Sequence, residues 1–127
     1  MFTETLNETL SEVQVLTLGV LEDLVELIRQ SDMKAHELQL QIDSLYEELT
    51  ILKSGVSLDV AGNKTYKNEM QRKAAIQVLL DEHEEKYKLN KKLNELTYQK
   101  TESEVYNRSL QNKFKVYLLK AQMLANR

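Results

Sequence analysis

Apolar residues recur at alternating spacings of three and four along the first part of the chain. Leu21, Leu24, Ile28, Ala35, Leu38, Ile42, Leu45, Leu49 and Leu52 hold the pattern, with Ser31 its one polar member. Such a repeat is the heptad seam of a long amphipathic helix, and it predicts a helix over residues 3–53. Residues 31–34 offer a second starting cap. The seam keeps its phase across them, so a continuous helix is the preferred reading. Lys53 suits the last turn of this helix, where a cation offsets the dipole, and Gly55 stands where a left-handed cap residue is wanted.

The period changes at residues 56–67. Val56, Leu58 and Val60 alternate with polar residues, and Gly62-Asn63 offers the positive φ of a two-residue hairpin turn. This pattern predicts either a short β-hairpin, residues 56–61 with 64–67, or an irregular loop. A second long helix is expected over residues 68–125. Asn68 can cap it, and Gln71, three residues on, completes a capping-box pattern. Its seam runs through Leu89, Leu96, Ser103, Leu110, Tyr117 and Leu124, with Leu93, Lys100, Asn107, Phe114 and Ala121 as the second row. Upstream, Ile76, Leu80, His83 and Tyr87 follow another phase, so the seam shifts near residues 81–89.

Two long helices joined by a short connection fold back most simply as an antiparallel pair. The expected architecture is therefore all-α: one helical-hairpin coiled-coil unit over residues 1–127, with a tip at 54–67. A fold-back near residue 60 sets Leu52 near Glu69, Leu38 near His83 and Leu24 near Thr97. This pairing leaves a mismatch. Between residues 13 and 28 apolar side chains occupy more than one helix face, while the stretch expected opposite carries Lys100, Ser103 and Asn107 on its seam. A surplus of Val13, Leu16, Val20, Leu21, Leu24, Leu27 and Ile28 predicts self-association into a dimeric four-helix bundle or a higher oligomer. Asn107, buried in that bundle, would fix the register.

Composition narrows the chemistry. The 127 residues include no cysteine, proline or tryptophan and only three glycines. A disulfide scaffold, a zinc finger and thiol catalysis are thereby excluded, and long helices are favoured. The N-terminus lacks a basic leader, and Glu22, Asp23 and Glu26 interrupt the most apolar stretch. A cytoplasmic protein with no membrane partner is expected. The net charge of −3 is unevenly placed: residues 1–53 carry 11 acids and 3 bases, residues 86–127 carry 3 acids and 10 bases. The two arms should attract each other when side by side.

No phosphate-binding glycine loop, HExxH or GxSxG motif occurs, so the chain reads as non-enzymatic, without cofactor. Glu-x-x-His pairs would be needed for a metal site in a helical bundle. Here Met33 and Leu80 stand three residues before His36 and His83, so no metal is expected. Five of the six tyrosines lie at seam or flank positions. The sixth, Tyr66, sits with Lys64, Lys67, Arg72 and Lys73 at the tip, a candidate contact for an unidentified protein partner or a phosphate backbone. The basic last arm is a weaker candidate for direct nucleic-acid contact, because the chain as a whole is acidic.

The run GNKTYKNEMQRKAA, residues 62–75, resembles a stretch that opens the second helix of small uncharacterised helical proteins of phages and mobile elements. Gly62, Tyr66, Asn68, Glu69 and Arg72 carry the resemblance, which covers about a tenth of the chain. It implies an accessory or adaptor role in DNA processing and brings no catalytic residue. The expected order of helix, β-hairpin and helix also looks like a β-type prefoldin subunit, which implies an alternative role as a coiled-coil holdase for unfolded clients.

Overall fold

The computed structural model describes the backbone of residues 2–126 and the side chains of residues 12–126. Three helices follow one another: α1 (Phe2–Ala61), α2 (Glu69–Asp81) and α3 (Glu84–Ala125). The all-α expectation is met, but three helices replace the expected two. They form two compact units, one of residues 1–36 with 101–127 and one of residues 37–100.

In the second unit the seam does what its period requires. Leu38, Ile42, Leu45 and Leu49 of α1 pack with Leu89, Leu93 and Leu96 of α3 in one buried cluster, with Leu52 at its margin. Lys100 Nζ donates to Gln39 Oε1 at 2.5 Å and fixes the level at which the helices face each other. Leu38 therefore packs among α3 leucines and not opposite His83 as expected. Leu52, expected near Glu69, packs at the margin of this cluster and of a second one formed by Val56, Val60, Ala75 and Leu80. The register slips because the turn lies further along the chain than the expected fold-back.

The turn lies further along because α1 does not end at residue 53. It runs through Gly55 to Ala61, and Gly55 has no positive φ. No β-strand exists among the described residues, so the hairpin expected at residues 56–67 is replaced by helix up to Ala61 and a short turn beyond. The physical reason is the spacing of Leu52, Val56 and Val60. These i, i+4, i+8 positions share one helical face, and they bury against Ala75 and Leu80 of α2, with Tyr66 and Ile76 packed alongside. Leu58, which an alternating strand would have placed with Val56 and Val60, is 74% exposed. Burial of one continuous stripe outweighs the modest strand preference of valine.

Two turns of hydrogen bonds close the connection. Thr65 N donates to Asn63 Oδ1 at 3.0 Å, and Gly62 N to the Leu58 carbonyl at 3.0 Å. Asn68 caps α2 as expected, its Oδ1 accepting from Gln71 N at 2.8 Å. The Gln71 side chain reaches back one residue beyond the expected box and accepts from Lys67 N at 2.8 Å.

The helix expected over 68–125 is interrupted at residues 82–83, inside the stretch where the seam changes phase. Glu82 stays near-helical, with φ −88 and ψ −6, and its N–H reaches the Val78 carbonyl. His83 then caps α3: its Nδ1 accepts from Glu85 N at 3.2 Å. Glu84 and Glu85 occupy the first turn, where carboxylates favour the positive end of the helix dipole. Lys86 Nζ lies 3.3 Å from Asp81 Oδ1 and ties the two helices across the break. Tyr87, expected on the seam, is exposed.

The first unit pairs the start of α1 with the end of α3. Gln14 Nε2 donates to the Leu124 carbonyl at 3.5 Å, and Asn107 Nδ2 donates to Asp32 Oδ1 at 2.8 Å, so the two segments are antiparallel. Thr17, Leu21, Leu24, Ser31 and Leu110 are buried here. The Thr17 hydroxyl donates to the Val13 carbonyl at 2.8 Å. Ser31 Oγ is buried with no hydrogen-bond partner. No break occurs at residues 31–34, because α1 is continuous there.

Candidate interaction site

The expected self-association surface divides in the structure. Leu21 and Leu24 are only 8% and 6% exposed, covered within the chain itself. Val20 and Ile28 are half-buried. Val13, Leu16 and Leu27 are exposed, Leu16 to 71%, and Val15, Leu18, Val25 and Met33 join them. Seven large apolar side chains within 21 residues of one helix thus face solvent after α3 has packed in place.

Their arrangement follows from the helical period. With Leu24, Ile28, Ser31 and Ala35 toward α3, Leu16, Val20 and Leu27 fall on one flank of the seam, and Leu18 and Val25 on the other. Apolar flanks on both sides of a seam mark a helix with room for more than one apolar neighbour. Glu22, Asp23 and Glu26 lie among them, all exposed. Glu26 accepts hydrogen bonds from Arg29 and from Gln30 Nε2, and these hold its carboxyl below the usual glutamate range.

Asn107, expected to set the register of an assembled bundle, makes its hydrogen bonds within the single chain. It is half-buried, and its side chain is spent within its own chain: the amide donates to Asp32, and Oδ1 accepts from Gln111 Nε2 at 2.6 Å. It therefore registers α3 on α1 within the unit.

At the turn between α1 and α2, Lys64, Lys67, Arg72 and Lys73 are exposed, while Tyr66 is half-buried against the Val56, Val60, Ala75 and Leu80 cluster. Lys73 pairs with Glu69 one turn away at 3.5 Å. Tyr66 thus spends much of its ring on packing, and Lys64, Lys67 and Arg72 present exposed charge there. A shallow surface depression beside them is lined by Tyr66, Ala74, Val78 and Leu79. Sequence reasoning missed this depression because it assigned Val78 and Leu79 to an uninterrupted second helix.

Sequence reasoning also missed the outward face of α3. Val105, Val116, Leu119 and Met123 are exposed there, while Leu110 is buried and Phe114, Tyr117 and Ala121 are half-buried toward α1. The signal was present as a second set of three- and four-residue spacings. It was overlooked because one seam already accounted for the helix. Among the described residues no group of three or more histidine, aspartate or glutamate side chains could hold a metal ion, and no helix is long and apolar enough to cross a membrane. Compared with family models, with curated proteins and with solved structures, the chain matches none.

Proposed function

We propose that the chain is a non-enzymatic structural or adaptor protein that assembles with copies of itself through the exposed apolar positions of α1. Following the resemblance of residues 62–75, its setting is DNA processing in a phage or mobile element. The observation that supports self-assembly is the exposure of Val13, Val15, Leu16, Leu18, Val25, Leu27 and Met33 on a folded α1. Burying a leucine- or valine-sized side chain contributes about 1.5–3 kcal/mol. A partner that covers four of them, already partly covered, gains about 6 kcal/mol, which lies within the cost of association, ~4–15 kcal/mol. A surface of that strength supports a concentration-dependent assembly.

Sedimentation velocity across a concentration series tests the reading. The expected result is a mass above one chain that falls on dilution, and a single-chain mass for Leu16→Glu combined with Val25→Glu. Wild-type protein that stays a single chain throughout sinks the proposal. If that single chain also suppressed aggregation of an unfolded client, the holdase alternative would take its place.

A further inference from the structure

The outward face of α3 carries a regular stripe. Val105, Asn112, Val116, Leu119 and Met123 follow one another at spacings of seven, four, three and four, which is the repeat of a helix-docking seam. All five are exposed, and a shallow groove runs along part of the stripe, lined by Val105, Ser109, Asn112 and Val116. By the helical period, Arg108 and Lys115 border the stripe on one side, and Lys113 and Lys120 on the other.

We infer that this stripe receives the acidic, apolar outer face of α1 from a second copy of the chain. The inference rests on the self-assembly proposed above and names the surface that meets α1. The outer face of α1 carries Val15, Leu18, Val25 and Met33 at compatible spacings, with Glu22, Glu26 and Arg29 among them, Arg29 paired with Glu26. Charge decides between the possible pairings. Two copies joined α1 to α1 would bring Glu22 and Glu26 close to their like. Two copies joined α3 to α3 would oppose Arg108, Lys113, Lys115 and Lys120 to themselves. Like charges juxtaposed in an interface are unfavourable, and complementary ones set orientation and encounter rate. Joining α1 to α3 sets apolar against apolar and a mainly acidic face against a basic border. Each copy then offers one surface of each kind: two copies can exchange both contacts across a two-fold axis, or a head-to-tail contact closes as a ring or continues as a filament.

A charge-swap mixture tests this. One variant carries Glu22→Lys and Glu26→Lys, the other Lys113→Glu and Lys115→Glu. Each alone should sediment as a single chain, and an equimolar mixture should regain the mass of the wild type, because each basic α1 then meets an acidic α3. Far-UV circular dichroism confirms that both variants remain helical. As a second measurement that leaves charge untouched, Val116→Gln with Met123→Gln should weaken self-association at least ~10-fold. The inference is overturned if the mixture stays single-chain, if either swapped variant alone keeps the wild-type mass, or if the glutamine pair assembles as well as the wild type. Wild-type protein that never assembles overturns the proposed function as well, and so separates the two failures.

Discussion

Gly55 shows how a residue can point the wrong way. Glycine after a lysine-terminated seam is a common end of a helix, yet α1 passes through it without a positive φ, and a Cβ added there meets nothing within 4 Å. Its freedom is unused, so it only weakens the helix. Gly55→Ala should raise stability by about 0.5–1 kcal/mol, read from chemical denaturation, whereas a left-handed cap would make the same change destabilising. The neighbouring valines carry the opposite lesson. Val60 is 2% exposed while Leu58 is open to solvent. Val60→Ala should cost about 2 kcal/mol, and Leu58→Ala should stay within about 0.5 kcal/mol of the wild type. A strand at residues 56–61 would put Leu58 on the same face as Val60 and make the two losses similar. The alternation of Val56, Leu58 and Val60 was therefore legible in two ways. The decision came from Leu52 upstream and from Ala75 and Leu80 on the helix that packs there, which a local window does not include.

At the scale of elements, the seams were readable and their ends were not. Every seam position from Leu21 to Leu52 is buried or half-buried in α1, because three-four spacing over so many turns admits one reading. The gap between α2 and α3 was visible only as a change of phase. It became a break because His83 can cap a helix, which its residue type does not advertise as asparagine or serine would. His83→Ala should destabilise the protein by about 1 kcal/mol, and His83→Asn should retain most of the stability, both measured by thermal unfolding at 222 nm. The same junction has an acid-sensitive tie. The Asp81 carboxyl is held below the ordinary aspartate range, first by its hydrogen bond from Gln77 and then by Lys86. A depressed folded value means that the contribution is present above the unfolded aspartate value and is lost as pH falls through the folded one. Asp81 should therefore titrate below an unfolded-chain aspartate in a carbon-detected NMR titration, and Asp81→Asn should remove the corresponding acid-side loss of stability. Asp81 is exposed, so the change is small.

For the molecule as a whole, charge is organised over tens of residues, while four ion pairs are short-range. Glu26 with Arg29, Glu69 with Lys73, Asp81 with Lys86 and Glu84 with Lys88 each join residues three to five positions apart. The acidic arm over residues 1–53 and the basic arm over residues 86–127 act instead as two extended fields. Within each compact unit those fields attract α1 and α3 to each other, but buried leucines already hold that pairing. Salt should therefore affect the fold and the assembly differently. The fold depends on apolar burial, which sodium chloride does not screen. An assembly that joins Glu22 and Glu26 to Lys113 and Lys115 of another copy depends on exposed charges, and their attraction shortens from a range of ~20 Å to about 4 Å as ionic strength rises from roughly 0.02 to 0.5 M. Over that range the weight-average mass from light scattering should fall toward a single chain while ellipticity at 222 nm stays constant. A mass that held steady or grew with salt would show that apolar contact alone joins the copies. A parallel loss of ellipticity would instead place the salt-sensitive attraction inside the fold.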